Sequence, residues 1–306
     1  MSIVDAIILG VIQGLTEFFP VSSSGHLVMT ERVLGLRIPG IFFEIAVHVA
    51  TLLSVIVVYR AKIWALLRGL AVRGEGSTWP YALMLVVATI PAGVVGLLFK
   101  DWFEARFEDP TFAATMVLVT GAVVWSSRWV RREGVIPPRE LIPLLLVAIV
   151  ALFAGTLVPF LAVLAVQALI MGISRITARR EWRDEPGWGG AVMMGVAQAL
   201  AILPGITRSG STVVAGLWRR IDPVAAAEFS FLMSIPAILG AAVLSVPDAL
   251  TEGDAVGTAP LLAGAAAAAI AGVLAIRFFV ALLRKQNFHV FAYYCWIVGT
   301  LFLLLA

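Results

Sequence analysis

The stretch Gln13 to Leu27, QGLTEFFPVSSSGHL, decides how the rest of the chain is read. It sits in a very apolar N-terminal segment, yet it carries a carboxylate (Glu17), an imidazole (His26), an amide (Gln13) and three successive hydroxyls, Ser22, Ser23 and Ser24. Gln13 and Glu17 are four residues apart and share one face of a helix. Pro20 ends or kinks that helix, because its ring lacks the amide donor and clashes with the preceding turn. The serine run before Gly25 supplies an N-cap for a second helix. The pattern predicts a helix, a polar break and a new helix that begins at the serines. Ionisable groups at membrane depth are costly and mark functional sites.

The setting is a membrane. Of 306 residues, 61% are hydrophobic and only 13% charged, with a mean hydropathy of +1.00. A soluble globule is nearer half apolar, so a polytopic helical membrane protein is expected. Asp5 and the polar run interrupt the N-terminal apolar segment, which argues against a signal peptide. The lone Cys295 excludes an internal disulfide and makes a cysteine metal site improbable. A net charge of +3 bears mainly on orientation in the bilayer.

Full-length spans are expected at about 42–59, 80–99, 112–130, 224–246, 260–283 and 288–306. Residues 141–178 are too long for one span, and Gly155 and Pro159 would turn the chain there into two short ones. Residues 3–35 and 188–219 differ from the rest. Each has a polar, proline-containing break between halves too short to cross. Both are expected to be re-entrant helical hairpins, which membrane depth permits only where protein or a cavity shields the break. At an ungapped offset of 185, Gly10, Val11, Gln13, Leu15, Ser24, Gly25 and Val28 match Gly195, Val196, Gln198, Leu200, Ser209, Gly210 and Val213. The chain thus divides into a first repeat, 1–178, with an apparent extra pair of spans near 130–178, and a second repeat, 188–306. Interrupted segments at matching places in two halves point to a central binding site.

Loop charges supply a topology. Residues 60–79 hold Arg60, Lys62, Arg68 and Arg73 against Glu75, and 128–140 hold four Arg against two Glu. Residues 248–254 hold only acids: Asp248, Glu252 and Asp254. With basic loops cytoplasmic, the first hairpin opens outside. Three spans between 112 and 178 then make the second hairpin open inside, an inverted-topology repeat whose two breaks meet near the bilayer midplane.

The second break reads LPGITRSGST, Leu203 to Thr212. Arg208 there requires an anionic partner, and a guanidinium grips a phosphate with two parallel hydrogen bonds. Thr207, Ser209, Ser211 and Thr212 are donors around it, and Gly205 and Gly210 permit close backbone approach. Helices starting near Ser24 and Ser209 would aim two N-termini at one point, an anion site. The halves are chemically unequal, because Glu17 corresponds to Ile202 and His26 to Ser211. A phosphoryl-transfer enzyme gains from that asymmetry, with the carboxylate holding a hard divalent cation; a simple anion carrier does not. Structural roles compete. Glu17 would salt-bridge Arg208, His26 would be satisfied by a backbone carbonyl, and the serines would cap a helix; Glu44 and His48, at i, i+4, would either support the site or form a structural hydrogen bond, and Glu228 would sit at the interface or line the site.

At these residues the chain resembles the membrane-integral undecaprenyl-diphosphate phosphatase family of the bacitracin-resistance type. That family has a Glu/Gln-x-x-x-Glu motif running into a Ser-rich Gly-His segment, and a Pro-Gly-x-Ser-Arg-Ser-type motif in its second half. Here these are Gln13 to Glu17 with Ser22-Ser23-Ser24-Gly25-His26, and Pro204 to Ser209. The resemblance spans nearly the whole chain. It implies hydrolysis of a polyprenyl diphosphate to the monophosphate and inorganic phosphate, with Glu17, Ser23, His26 and Arg208 catalytic. Gln13, Ser22, Ser24, Gly25, Thr207, Ser209 and Gly210 would contact substrate, and Mg²⁺ or Ca²⁺ would sit on Glu17. Ser23 or His26 would attack phosphorus, or His26 would activate a water or protonate the leaving oxygen. It further implies a multi-pass protein of the bacterial plasma membrane with its site facing outward. Its partners would be the lipid substrate and the bilayer, with no nucleic acid, and a homo-oligomer is left open. Gln13 stands where many members have Glu, Thr207 replaces the usual Ser, and residues 130–178 look longer than the family pattern. The rival class is a lipid flippase or anion transporter on the same inverted repeat.

Overall fold

The structure, a computed structural model, describes residues 1–36, 42–72, 74, 76–107, 109–130, 141–177, 181–252, 256–285 and 287–305. The basic stretch 131–140 and Asp254 therefore lie outside the described residues. The described residues form helices and no strands. The N-terminal hairpin is α1 (Ile3–Phe18) and α2 (Ser23–Val33). Next come α3 (Phe42–Val58), α4 (Arg60–Leu70), α5 (Trp79–Leu98), α6 (Lys100–Phe107) and α7 (Pro110–Trp125). Helices α8 (Ile142–Phe153) and α9 (Leu157–Thr177) lead to the second hairpin, α10 (Trp188–Leu200) and α11 (Arg208–Trp218). The chain ends in α12 (Pro223–Glu252), α13 (Thr258–Arg284) and α14 (Val290–Leu305).

Among the described residues, five helical stretches are long and apolar enough to cross a bilayer: 79–98, 110–129, 157–176, 223–245 and 258–284. The pair α3 and α4, bent by 79°, makes a sixth if counted as one. Two expectations change. The stretch 141–178 does break beside Gly155, whose φ is +69°, but into unequal helices of 12 and 21 residues rather than two short ones. Pro159 falls in the first turn of α9, where a missing amide costs nothing. At 1.5 Å per residue α8 rises only about 18 Å, well under the hydrocarbon thickness of roughly 30 Å. Helix α14 has 16 residues, shorter than the full span expected over 288–306.

The two hairpins are built to one plan. Helix α11 occupies the same positions as α2 at the offset of 185, and α10 begins 185 residues after α1. Helix α1 lies along α13, and α10 lies along α5. Equivalent glycines make both approaches. A Cβ on Gly10 would overlap the Gly264 carbonyl, and one on Gly195 would overlap the Ala88 carbonyl. Helix α7 is buried from Phe112 through Trp125. It is the central post, apolar all round as a fully enclosed helix must be, and it packs along α14.

Candidate active site

The two breaks meet. Helix α1 runs out at Phe18, and Phe19 and Pro20 carry it into the turn. Carbonyls freed at such a break need partners inside a membrane, and residues distant in sequence supply them. Phe19 O accepts from Ser209 Oγ at 3.0 Å, and Pro20 O from Cys295 Sγ at 3.4 Å. Ser22 caps α2, its Oγ accepting from Gly25 N at 3.4 Å. At the equivalent position Thr207 caps α11, its Oγ1 accepting from Gly210 N at 3.2 Å. The serine run thus acts as the N-cap that its sequence suggests, and the second helix starts at Arg208, one residue before Ser209. Thr120 of α7 latches the second break, donating to Gly205 O at 2.8 Å and accepting from Thr207 N at 3.0 Å.

The centre is Glu17, with only 7% of its side chain exposed. Its Oε1 accepts from Arg208 Nη2 at 2.9 Å. Its Oε2 accepts from Ser23 Oγ at 2.8 Å and from Gln13 Nε2 at 3.1 Å. Three segments of the two motifs therefore converge on one carboxylate. Arg208 Nη1 reaches the Ser230 carbonyl at 3.3 Å, and Ser230 Oγ lies 2.6 Å from Thr212 Oγ1. Gln13 Oε1 is buried with no hydrogen-bond partner. Ser24 Oγ accepts from Gly205 N at 3.4 Å and is 3.3 Å from Ser22 Oγ. The amides of Ser23, Ser24, Arg208 and Ser209 head α2 and α11, where no intrahelical acceptor exists. Such amides suit an anion.

His26 stands apart from this cluster. Its Nδ1 is 2.7 Å from Ser22 O and its Nε2 is 2.9 Å from Tyr294 Oη, so both nitrogens are engaged away from Glu17, Ser23 and Arg208. His48 comes closer than the sequence suggested. Its Nδ1 bonds the Glu44 backbone carbonyl at 2.8 Å, not the Glu44 carboxylate, and its Nε2 lies 3.8 Å from Glu17 Oε2. Glu228 pairs with Lys62 at 3.1 Å, away from the Glu17 carboxylate. Tyr294, Thr120 and Ser230 were missed as site residues. His48 was singled out with Glu44, but its approach to Glu17 was not. Two cavities, of about 320 and 210 Å³, are lined by other residues, among them Trp102 and Leu203 in the first and Arg128 and His289 in the second. Within the cluster Glu17 and Arg208 satisfy each other, and Ser23, Ser24 and Arg208 are only partly buried.

Two helical hairpins that bring a carboxylate, a guanidinium and a serine together among apolar helices define a polytopic membrane protein with a polar cluster where the two breaks meet. The chain belongs to the bacitracin resistance protein BacA family, whose model matches residues 6–156 and 136–301. An undecaprenyl-diphosphatase of Alkaliphilus metalliredigens is 36% identical over 317 residues, covering 99% of this chain and 98% of its own. One of Desulfatibacillum aliphaticivorans is 35% identical over 310 residues, covering 96% of this chain and 95% of its own. Another, of Halothermothrix orenii, is 33% identical over 307 residues.

Proposed function

We propose that this protein hydrolyses undecaprenyl diphosphate to the monophosphate and inorganic phosphate. Released monophosphate returns the lipid carrier to cell-wall synthesis, and bacitracin resistance follows from the same activity. The observation that carries the chemistry is the Ser23–Glu17–Arg208 chain, in which a hydroxyl and a guanidinium share one buried carboxylate. Nucleophile and base within hydrogen-bond reach, with the base oriented by a third group, is the arrangement nucleophilic catalysis needs.

The diphosphate enters the cluster and takes Arg208 away from Glu17. The guanidinium then holds two phosphate oxygens in parallel, and the free amides of α2 and α11 hold others. Glu17, relieved of its cation, accepts the Ser23 proton through Oε2. Ser23 Oγ forms a bond to the terminal phosphorus, and the bond from phosphorus to the bridging oxygen breaks, releasing polyprenyl monophosphate. Water then attacks the phosphoserine and Ser23 Oγ leaves as the hydroxyl, recovering its proton from Glu17. Catalysis is chiefly positioning and charge stabilisation, as in phosphoryl transfer generally.

A divalent cation fits the donors present. Among the described residues no group of three or more His, Cys, Asp or Glu is placed to hold a metal. One carboxylate with an unpartnered buried amide oxygen on Gln13 nevertheless suits Mg²⁺ or Ca²⁺, whose remaining ligands are substrate phosphates and water. Glu17 and Gln13 would hold it, and when bound it would neutralise phosphate charge.

The inverted repeat is part of the same proposal, supported by the matched hairpins and their equivalent packing on α13 and α5. Inversion requires α8 to count as a crossing despite its length. On the charge pattern the site faces the outer side of the bacterial plasma membrane. Phosphate release by detergent-solubilised protein from undecaprenyl diphosphate, with and without chelator, tests the activity. Absence of release from folded protein with Mg²⁺ and Ca²⁺ supplied would refute it.

A further inference from the structure

His26 belongs to the motif, yet it hydrogen-bonds none of the reacting groups. What it does hold is the residue that sets the direction of Ser23. Ser22 has φ +71° and ψ 105°, a region that L-residues avoid. Among the described residues only Ser22 and Arg220 are non-glycine positions with positive φ. Such backbone persists only where surroundings over-determine it. At Ser22 they do. The residue is 2% exposed, its Oγ caps Gly25 N, and its carbonyl takes the His26 ring at 2.7 Å, while the helical bond from His26 N to the same carbonyl is 3.4 Å.

A carbonyl only accepts, so His26 Nδ1 carries a proton, and in the neutral ring Nε2 holds the lone pair. Tyr294 Oη therefore donates to Nε2 at 2.9 Å. The phenol ring lies parallel to the imidazole, with centroids 5.7 Å apart and planes at 9°, and Phe302 closes the edge at 5.4 Å. The imidazole is thus fixed in one tautomer by a helix at the far end of the chain.

We infer that His26, held by Tyr294, is a positioning residue that clamps the Ser22 carbonyl and so aims Ser23 Oγ at Glu17. This rests on the reading of Ser23 as nucleophile. Without the clamp Ser22 relaxes toward an ordinary backbone conformation, the Ser22–Ser23 peptide plane turns, and the 2.8 Å Ser23–Glu17 bond is lost. A misplacement of about 1 Å costs on the order of a hundredfold in rate.

Asparagine and glutamine separate the roles of the two nitrogens. The His26→Asn amide nitrogen sits near the Nδ1 position and can still donate to Ser22 O, whereas that of His26→Gln sits near Nε2. Phosphate release is measured as kcat and KM for His26→Asn, His26→Gln, His26→Ala, Tyr294→Phe and Ser23→Ala, with a melting temperature for each. Expected are losses within about tenfold for His26→Asn and Tyr294→Phe, and about a hundredfold in kcat for His26→Gln and His26→Ala with KM little changed. A His26→Asn variant that folds but is as slow as His26→Ala overturns the clamp. So does finding Nδ1 without its proton in the ¹⁵N spectrum of histidine-labelled protein, which has only three histidines to assign. That spectrum decides the matter if the Asn variant does not fold. Activity surviving in Ser23→Ala would instead refute the nucleophile on which the inference is built.

Discussion

Arg208→Lys keeps the charge and removes the fork. In the structure the guanidinium spends Nη2 on Glu17 at 2.9 Å and Nη1 on the Ser230 carbonyl at 3.3 Å. An ammonium on a flexible stem holds one acceptor geometry well and cannot present two parallel donors to a phosphate. Losing one charge-assisted bond in the transition state costs about 1.5–3 kcal/mol, which is about 10- to 150-fold in kcat/KM. The lysine still neutralises Glu17, so the melting temperature should change little. Arg208→Ala is different in kind. It strands a carboxylate that is 7% exposed, and removing one partner of a buried pair costs about 3–5 kcal/mol of stability. The assay is phosphate release from undecaprenyl diphosphate in detergent micelles, with thermal unfolding followed in parallel. Turnover by Arg208→Lys within twofold or so of the parent, where at least about tenfold loss is expected, would remove Arg208 from the phosphate and leave it a structural counter-ion.

Glu17→Gln should abolish turnover together with the response to added Mg²⁺ or Ca²⁺, while Gln13→Glu should remain active and tighten metal binding; a metal titration of Glu17→Gln that matches the parent would exclude Glu17 as ligand. Gly10→Val places side-chain atoms where the Gly264 backbone lies and should lower the melting temperature sharply, whereas Gly93→Ala meets nothing within 4 Å and should raise helix stability by about 0.5–1 kcal/mol; equal melting temperatures for the two would contradict the packing of α1 on α13. In a Cys295→Ser background, Ala259→Cys should react with an impermeant thiol reagent in intact cells and Val72→Cys should not. The reverse pattern would overturn the outward-facing site.

The hairpins were legible because a bilayer leaves a chain few ways to hide polar residues. Proline, a serine run and an ionisable group within one apolar segment point to a break, and the break appears at residues 19–22. The shared Gln and Ser-Gly at one offset marked the second hairpin, and α11 starts where that offset puts it. What was not legible depends on contacts between distant segments. Tyr294 is 268 residues from His26 and sits in an apolar helix with nothing to single it out. Thr120 looks like any helical threonine until its hydroxyl is seen between Gly205 and Thr207. The Glu44–His48 spacing was noticed, but spacing alone could not say that the ring takes a backbone carbonyl and turns its other nitrogen toward Glu17. Hydropathy likewise overstated α14 and made both α8 and α9 look short, because it sees apolar composition and not where the helix stops.

The N-terminal turn has a consequence for how the protein is made. The Phe19 carbonyl waits for Ser209, the Pro20 carbonyl for Cys295, and the His26 ring for Tyr294. None of these partners exists when the first hairpin leaves the ribosome. At about 5–20 residues per second, the roughly 275 residues separating Pro20 from Cys295 take about 15 to 60 seconds to synthesise. Throughout that interval the turn carries backbone acceptors that lipid cannot satisfy, so it has to wait in contact with water, the insertion machinery or a chaperone. A nascent chain released before Cys295 should be recognised as unfinished by membrane proteases, whereas two fragments co-expressed with a cut at residues 181–187 should reunite, since the second supplies all three partners at once.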